Sequence, residues 1–445
     1  MDLISVTMMV LSTAIREIRV SFLWALFSIL MTWSWGIGAI SFRDREATSV
    51  HTSRVDWAPG WQVDIRALGY QAPQGPVEEF GIDLGIDPIS FLADQQVVVT
   101  FVTEEFSGRV EHRDSTSTGD SEAYRIHAIF INATNGHVVN TLEWSSSSVR
   151  ARVLSVSSEK FAVLTPGRLL LYSSDFRFIK RLDLPLAQES ANDTWSASVS
   201  PAGRFLLLTY EPALENKQFL DQTHEVEIRC EWIDLENLVL VQHWSTAIDG
   251  SHPQFISDEG IVEIENRSDG KDGDSTNRKV LSIGTAPNGP WRIVCSSLAS
   301  SYCSMGPFVN NTALFTTRFL GHSTEDRRLW LGVVDTSGRL LFQDILPKKD
   351  MLRGPIERSS DGQRFAVAFL NGKGGNVFFD VGPHYTADRI MIFDMASRRW
   401  IYELDAKKQK VVSISGMALS ADGTQLGLID QNGILNVYSI PHTPS

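Results

Sequence analysis

The sequence predicts an all-β fold, a seven-bladed β-propeller closed by its own first strand. Three observations carry that expectation. A short polar turn followed by an alternating apolar run recurs seven times along the chain. Beyond residue 42 no apolar pattern of useful length has the 3.6-residue period of a helix. The last repeat is one strand short, while a strand without a sequence neighbour stands near the start.

The elements follow in chain order. Residues 1–19 form an N-terminal tail ending in Arg16 and Arg19. From Val20 to Phe42 there is no charged residue, and Phe22, Leu23, Trp24, Leu26, Phe27, Ile29, Leu30 and Met31 fill the run. About 20 apolar residues in helical form span a bilayer core. Residues 20–42 therefore read as a hydrophobic helix, a transmembrane anchor or a signal segment, with Trp33 and Trp35 suited to an interface. A cleaved signal is the rival, with Ala39-Ile40-Ser41 as its small-x-small site. A buried soluble helix is the third reading. The length of the run favours the anchor. Residues 43–60 are polar and read as a linker, and 61–445 as the propeller.

Trp61 to Ala67 alternates and reads as a strand. Three copies of the turn are clear. Ser200-Pro201-Ala202-Gly203 leads into Phe205 to Leu208, Ser359-Ser360-Asp361-Gly362 into Phe365 to Phe369, and Ser420-Ala421-Asp422-Gly423 into Leu426 to Ile429. Four copies are degenerate, at Phe91 to Asp94, Ser157 to Lys160, Ser257 to Gly260 and Val309 to Thr312. Each copy is followed by further short strands and tight turns. Leu331 to Asp335 turns at Ser337-Gly338 into Leu340 to Phe342, and Ala128 to Ile131 turns at Asn135-Gly136 into Val138-Val139. Each unit is thus a meander of four strands, A to D, with the polar turn between A and B. One such sheet cannot bury both faces alone, but radial packing against its neighbours can. The last unit has B and C and lacks D, and Trp61 to Ala67 would supply it, hiding an open edge.

At this point the chain resembles the WD40/YVTN-like superfamily of seven-bladed propellers. The resemblance rests on the Ser-x-Asp-Gly turns at Ser359 and Ser420, the Ser-Pro-x-Gly turn at Ser200, and the strand ends Phe393-Asp394 and Val334-Asp335. It covers roughly residues 61 to 441. The Gly-His and Trp-Asp pairs of true WD40 repeats are absent at matching positions, although Trp232-Ile233-Asp234 comes near. The chain therefore looks like a divergent, exported propeller. Such a resemblance implies fold and leaves activity open.

The formal net charge of -13 excludes a general nucleic-acid binder, because phosphate contacts need a basic surface. The long insertions fall between strands B and C, at 104–124, 211–224, 266–277, 318–328 and 370–388. Insertions collected on one side of a repeat array often mark the binding face. They hold the candidate ligand- or partner-binding residues His224, His322, Phe378, Phe379, His384 and Tyr385. The aromatic residues suit a lip around a ligand. No two histidines have a ligand-like spacing, so no metal site is expected. The Asp269-Gly270-Lys271-Asp272-Gly273-Asp274 stretch lacks the downstream glutamate of a calcium loop. Gly372-Lys373-Gly374-Gly375 precedes no helix that would present amides to phosphate. No cofactor is expected.

The three cysteines are Cys230, Cys295 and Cys303. Cys295 and Cys303 are spaced to form a disulfide between two strands, and three buried thiols are the other reading. Together these features predict a non-enzymatic module, membrane-tethered with its propeller exported, or secreted or periplasmic if the segment is cleaved. It would bind a protein or an extracellular ligand on the B–C face. The alternative is a propeller hydrolase or lyase with its site at the channel mouth.

Overall fold

Alternation of apolar and polar residues is what builds this molecule, and nearly every alternating run is a strand. A computed structural model describes residues 53–54, 58–70, 88–92, 96–104, 124–146, 151–165, 167–184, 194–211, 226–248, 253–255, 257, 260–268, 278–285, 292–298, 301–305, 308–319, 329–345, 350–371, 387–405, 416–430 and 432–440. The expected N-terminal helix at 20–42 lies outside them. Among the described residues no helix is long and apolar enough to cross a membrane.

The strands form six four-stranded sheets and one five-stranded sheet. In chain order the first contains Ile89–Leu92, Gln96–Glu104, Tyr124–Asn132 and Val138–Ser146. The second contains Arg152–Ser157, Lys160–Thr165, Arg168–Ser173 and Phe178–Asp183. The third contains Thr194–Val199, Phe205–Glu211, Val226–Asp234 and Val239–Ile248. Gln254–Phe255, Ile261–Ser268, Arg278–Thr285 and Arg292–Leu298 make the fourth. Ser301–Met305, Thr312–Phe319, Leu329–Asp335 and Leu340–Ile345 make the fifth. The sixth has Asp350–Arg358, Arg364–Asn371, Ala387–Asp394 and Arg399–Leu404, with Ser53–Arg54 added in parallel to its outer edge. The last has Met417–Leu419, Gln425–Ile429 and Ile434–Ser439. Its fourth strand is Trp61–Asp64, antiparallel to Ile434–Val437.

Among the described residues, neighbouring sheets share apolar side chains. Val98, Ala128 and Phe130 of the first sheet pack with Val153, Phe161 and Val163 of the second. Leu206, Leu208 and Ile233 of the third pack with Ala162, Leu164 and Leu171 of the second. The sixth and last sheets join through Ile390, Ile392, Leu426 and Leu428. The last and first join through Leu435, Val437, Val97 and Val99. Ile89–Leu92 touches both Arg152–Ser157 and Met417–Leu419, so the two ends of the described chain meet. This is an all-β propeller.

The closing strand is shorter than its alternation suggests. It stops at Asp64, and Ile65–Leu68 turns into a 3-10 helix. Asp64 accepts a hydrogen bond from the Arg66 amide at 3.1 Å, and Gly69 ends the turn at φ 94°. A local aspartate cap outcompetes strand pairing here. Trp61 fixes the strand from the other end, since its Nε1 donates to Ala133 O of the first sheet at 2.7 Å.

The polar turns stand between strands A and B as expected, and they do two jobs. Inside the three clear copies the serine hydroxyl accepts the amide five residues on. Ser420 takes Gln425 N at 2.9 Å, Ser359 takes Arg364 N at 2.9 Å and Ser200 takes Phe205 N at 3.0 Å. In the Ser-x-Asp-Gly copies the same hydroxyl donates to Asp361 at 2.5 Å or Asp422 at 2.7 Å. The second job is to link sheets. Arg364 donates to Gly423 O at 2.9 Å, and Asp361 N to Ala421 O at 3.1 Å. Arg358 donates to Val309 O at 2.6 Å and to Thr312 Oγ1 at 2.7 Å, joining the sixth sheet to the fifth.

Candidate functional site

Strand pairing places the five long insertions. Glu104 pairs with Tyr124, so residues 105–123 leave and return at one end of the first sheet. By the same reading 212–225, 269–277, 320–328 and 372–386 connect strands B and C of the third, fourth, fifth and sixth sheets. The strands run one to three residues into the expected insertions, because paired backbone continues past the last apolar residue. The connections on the opposite side are tight. Asp335 caps its own turn by accepting Ser337 N and Arg339 N, each at 2.9 Å, and Asp234 accepts Glu236 N at 2.9 Å and Asn237 N at 3.0 Å.

His224, His322, Phe378, Phe379, His384 and Tyr385 all lie outside the described residues. What the structure does describe is the ground on which three of the insertions stand. The first sheet carries Phe101 on strand B, His127 opposite it on strand C and Glu143 opposite that on strand D. Phe101 stacks on the His127 ring at 4.8 Å and 11°. Tyr70, from the turn after the closing strand, meets Phe101 edge-on at 5.6 Å. His127 Nδ1 lies 3.1 Å from Glu143 Oε1, and its Nε2 lies 2.8 Å from Thr103 Oγ1. Arg125 donates to Glu143 Oε2 at 3.1 Å.

The electrostatics follow from this geometry. The hydrogen bond from Arg125 holds the Glu143 carboxyl below the usual range, more than its slight desolvation raises it. Desolvation pushes the Tyr70 hydroxyl up to about 12. An ionised Glu143 can only accept, so Nδ1 of His127 carries the proton toward it. In the neutral ring Nε2 is then free to accept from the Thr103 hydroxyl. Hydroxyl, imidazole and carboxylate stand in line, the order in which a base is oriented and a hydroxyl polarised.

Two other sheets repeat the theme with different residues. In the sixth, the Arg389 guanidinium lies 5.2 Å over the Phe369 ring and 3.7 Å from Glu403. Burial lowers the Arg389 pKa, and Glu403 opposes that by raising it. In the third, Tyr210 donates to Glu231 at 3.3 Å, and Glu231 pairs across the strands with His243. Glu231 is 1% exposed. Desolvation raises its pKa, against the lowering effects of the Tyr210 hydrogen bond and His243. Each of these ladders lies at the B–C half of its sheet, with its aromatic ring toward the preceding sheet. Phe101 packs with Leu435 and Val437, Tyr210 with Ala162 and Leu164, and Phe369 with Leu331 and Val333.

Among the described residues no group of three or more His, Cys, Asp and Glu is placed to hold a metal ion. Cys230 is buried in the third sheet. The side chains of Cys295 and Cys303 lie outside the described residues, and their backbones run in the outer strand of the fourth sheet and the inner strand of the fifth.

No family model matches the chain. No curated protein matches it either. Solved structures similar to it include the β-propeller domain of the trilobed protease from Pyrococcus furiosus, 11% identical, covering 79% of this chain and 91% of that one with a TM-score of 0.46. The C-terminal WD40 domain of Sif2 is 10% identical over 80% of this chain and 95% of that one, with a TM-score of 0.41. An oligogalacturonate lyase in complex with manganese is 12% identical over 71% and 83%, with a TM-score of 0.43.

Proposed function

We propose that the chain is a non-enzymatic, membrane-tethered or secreted propeller that holds a protein or an extracellular ligand on its B–C face. Counting the sheet completed by Trp61–Asp64 as a blade of its own, the ring has seven blades. Residues 20–42 are the tether, and the propeller is exported. The observation that carries the reading is asymmetry. Every long connection leaves from the B–C side, while the opposite side spends its polar groups on closing its own turns and joining neighbouring sheets. The three ladders brace the strand ends from which three of the insertions leave, with their rings packed on the preceding sheet.

The test compares two variants in cells by proximity labelling. In one, 105–123, 212–225 and 372–386 are replaced by short turns. In the other, Ser337 and His137 on the opposite side are changed to alanine. The reading expects the first to lose its labelled neighbours and the second to keep them, and the reverse result overturns it.

A hydrolase or lyase is the second reading, favoured by the Thr103–His127–Glu143 line. Turnover of ester or glycoside substrates that is lost in both Thr103→Val and His127→Gln would support it. Turnover unchanged in both variants would remove it.

A further inference from the structure

The outer strands begin differently in different sheets. In the first three, the residues just after the C–D turn are apolar and uncovered. They are Val138 and Val139, Phe178 and Ile179, and Val239 to Val241, each between 43% and 57% exposed. The fifth and sixth sheets do not share this. Leu340 and Leu341 are half-buried there, and the corresponding pair in the sixth is exposed Arg399 with buried Trp400. The three apolar starts are neighbours on one arc of the rim. Lys180 Nζ donates to Asn237 O at 2.5 Å, joining the second sheet's outer strand to the third sheet's turn.

The chain also enters the ring from that side. Ser53–Arg54 runs parallel to Tyr402–Glu403, within a strand that leads away from its C–D turn. Of the two residues, Ser53 stands nearer that C–D turn. Ten residues separate the apolar run ending at Phe42 from Ser53. They reach at most about 35 Å when extended. A bilayer holding residues 20–42 is within that reach of the C–D side, where the apolar starts stand.

We infer that the exposed starts of the outer strands in the first three sheets form a surface that rests on a lipid bilayer, with the B–C face turned away from it. This inference rests on the tether in the function proposed above. Seven exposed apolar side chains on the outer strands of three consecutive sheets exceed the singly scattered ones of an ordinary soluble surface, and aromatic and aliphatic side chains are favourable at a lipid interface. Charge contributes little. Arg177 is paired with Asp175 at 2.9 Å and Arg181 with Asp183 at 2.5 Å. The contact is therefore apolar and insensitive to salt.

The test uses the full chain in phosphatidylcholine vesicles containing a phosphatidylcholine with a diazirine high on its acyl chain. Photolysis and peptide mapping are expected to find lipid on 138–141, 178–181 and 239–241 as well as on 20–42, equally at low and high salt. Phe178→Ser with Val241→Ser should cut the rim signal severalfold and leave the 20–42 signal unchanged. Lipid on 20–42 alone overturns the rim contact and keeps the tether. Lipid on the rim alone keeps the contact and overturns the tether. No lipid on either overturns both, and chain-to-chain crosslinks joining two rims would assign the surface to a second copy instead.

Discussion

Gly203, in the third sheet's polar turn, lies against Val156 of the second sheet. It sits at φ 74°, and a Cβ there would meet the Val156 carbonyl oxygen at 1.3 Å. Left-handed backbone alone costs an L side chain about 1–2 kcal/mol, and a clash with backbone cannot be relieved by a rotamer change. Gly203→Ala is therefore expected to destabilise the fold by more than about 2 kcal/mol, read by denaturant unfolding. Glu231 makes a prediction of a different kind. Its carboxyl is buried against Tyr210, and desolvation sets its folded pKa above the ordinary value of 4.5. The folded state thus binds a proton that the unfolded state releases, and the stability it contributes is present below the unfolded pKa. That stability falls as pH rises from about 4.5 through the folded value. Glu231→Gln should remove this slope, and unfolding curves from pH 4 upward would show it. The Gly203 turn was legible as Ser-Pro-x-Gly, because a turn's chemistry is local. The Glu231 pair was not, since Tyr210 and Glu231 are 21 residues apart and only strand register brings them together.

Among the elements, the closing strand decides whether the last sheet has an open edge. Its existence was legible, because an alternating run at Trp61 lacked a neighbour and the final repeat lacked a strand. Its length was not, since Asp64 caps a turn that apolar periodicity does not record. Trp61 pairs with Val437, donates to Ala133 O and packs on Gly136, so it touches both the last and first sheets. Trp61→Ala removes a half-buried ring and a hydrogen bond across that seam. A loss of about 2 kcal/mol is expected, less than for a fully buried tryptophan. A melting curve unchanged by the substitution would show that the seam holds without it. The ladders at Phe101 and Phe369 escaped the sequence for the same reason as Glu231. Their members come from three strands separated by insertions of unequal length, and no spacing rule links Phe101, His127 and Glu143.

At the scale of the whole molecule the two sides of the disc have separate physical roles, and the difference can be measured. The A–B and C–D turns join neighbouring sheets, as Arg358 and Arg364 do, or close on themselves, as Ser420 does, and their groups are buried or paired. The B–C insertions leave from the ends of strands that are already paired up to Glu104 and Tyr124. Closing a loop costs entropy that grows only with the logarithm of its length. Replacing a 15-residue connection such as 372–386 with about four residues should therefore add roughly 1 kcal/mol of stability, provided the insertion makes no contacts that hold the ring. Ser420→Ala on the other side leaves the Gln425 amide without its acceptor and should cost about 1–2 kcal/mol. If the sides are divided as argued, shortened insertions keep or raise the midpoint of unfolding and Ser420→Ala lowers it. A shortened chain that unfolds earlier than the parent would mean that the insertions are part of the ring's own packing, and the case for a dedicated binding face would weaken with it.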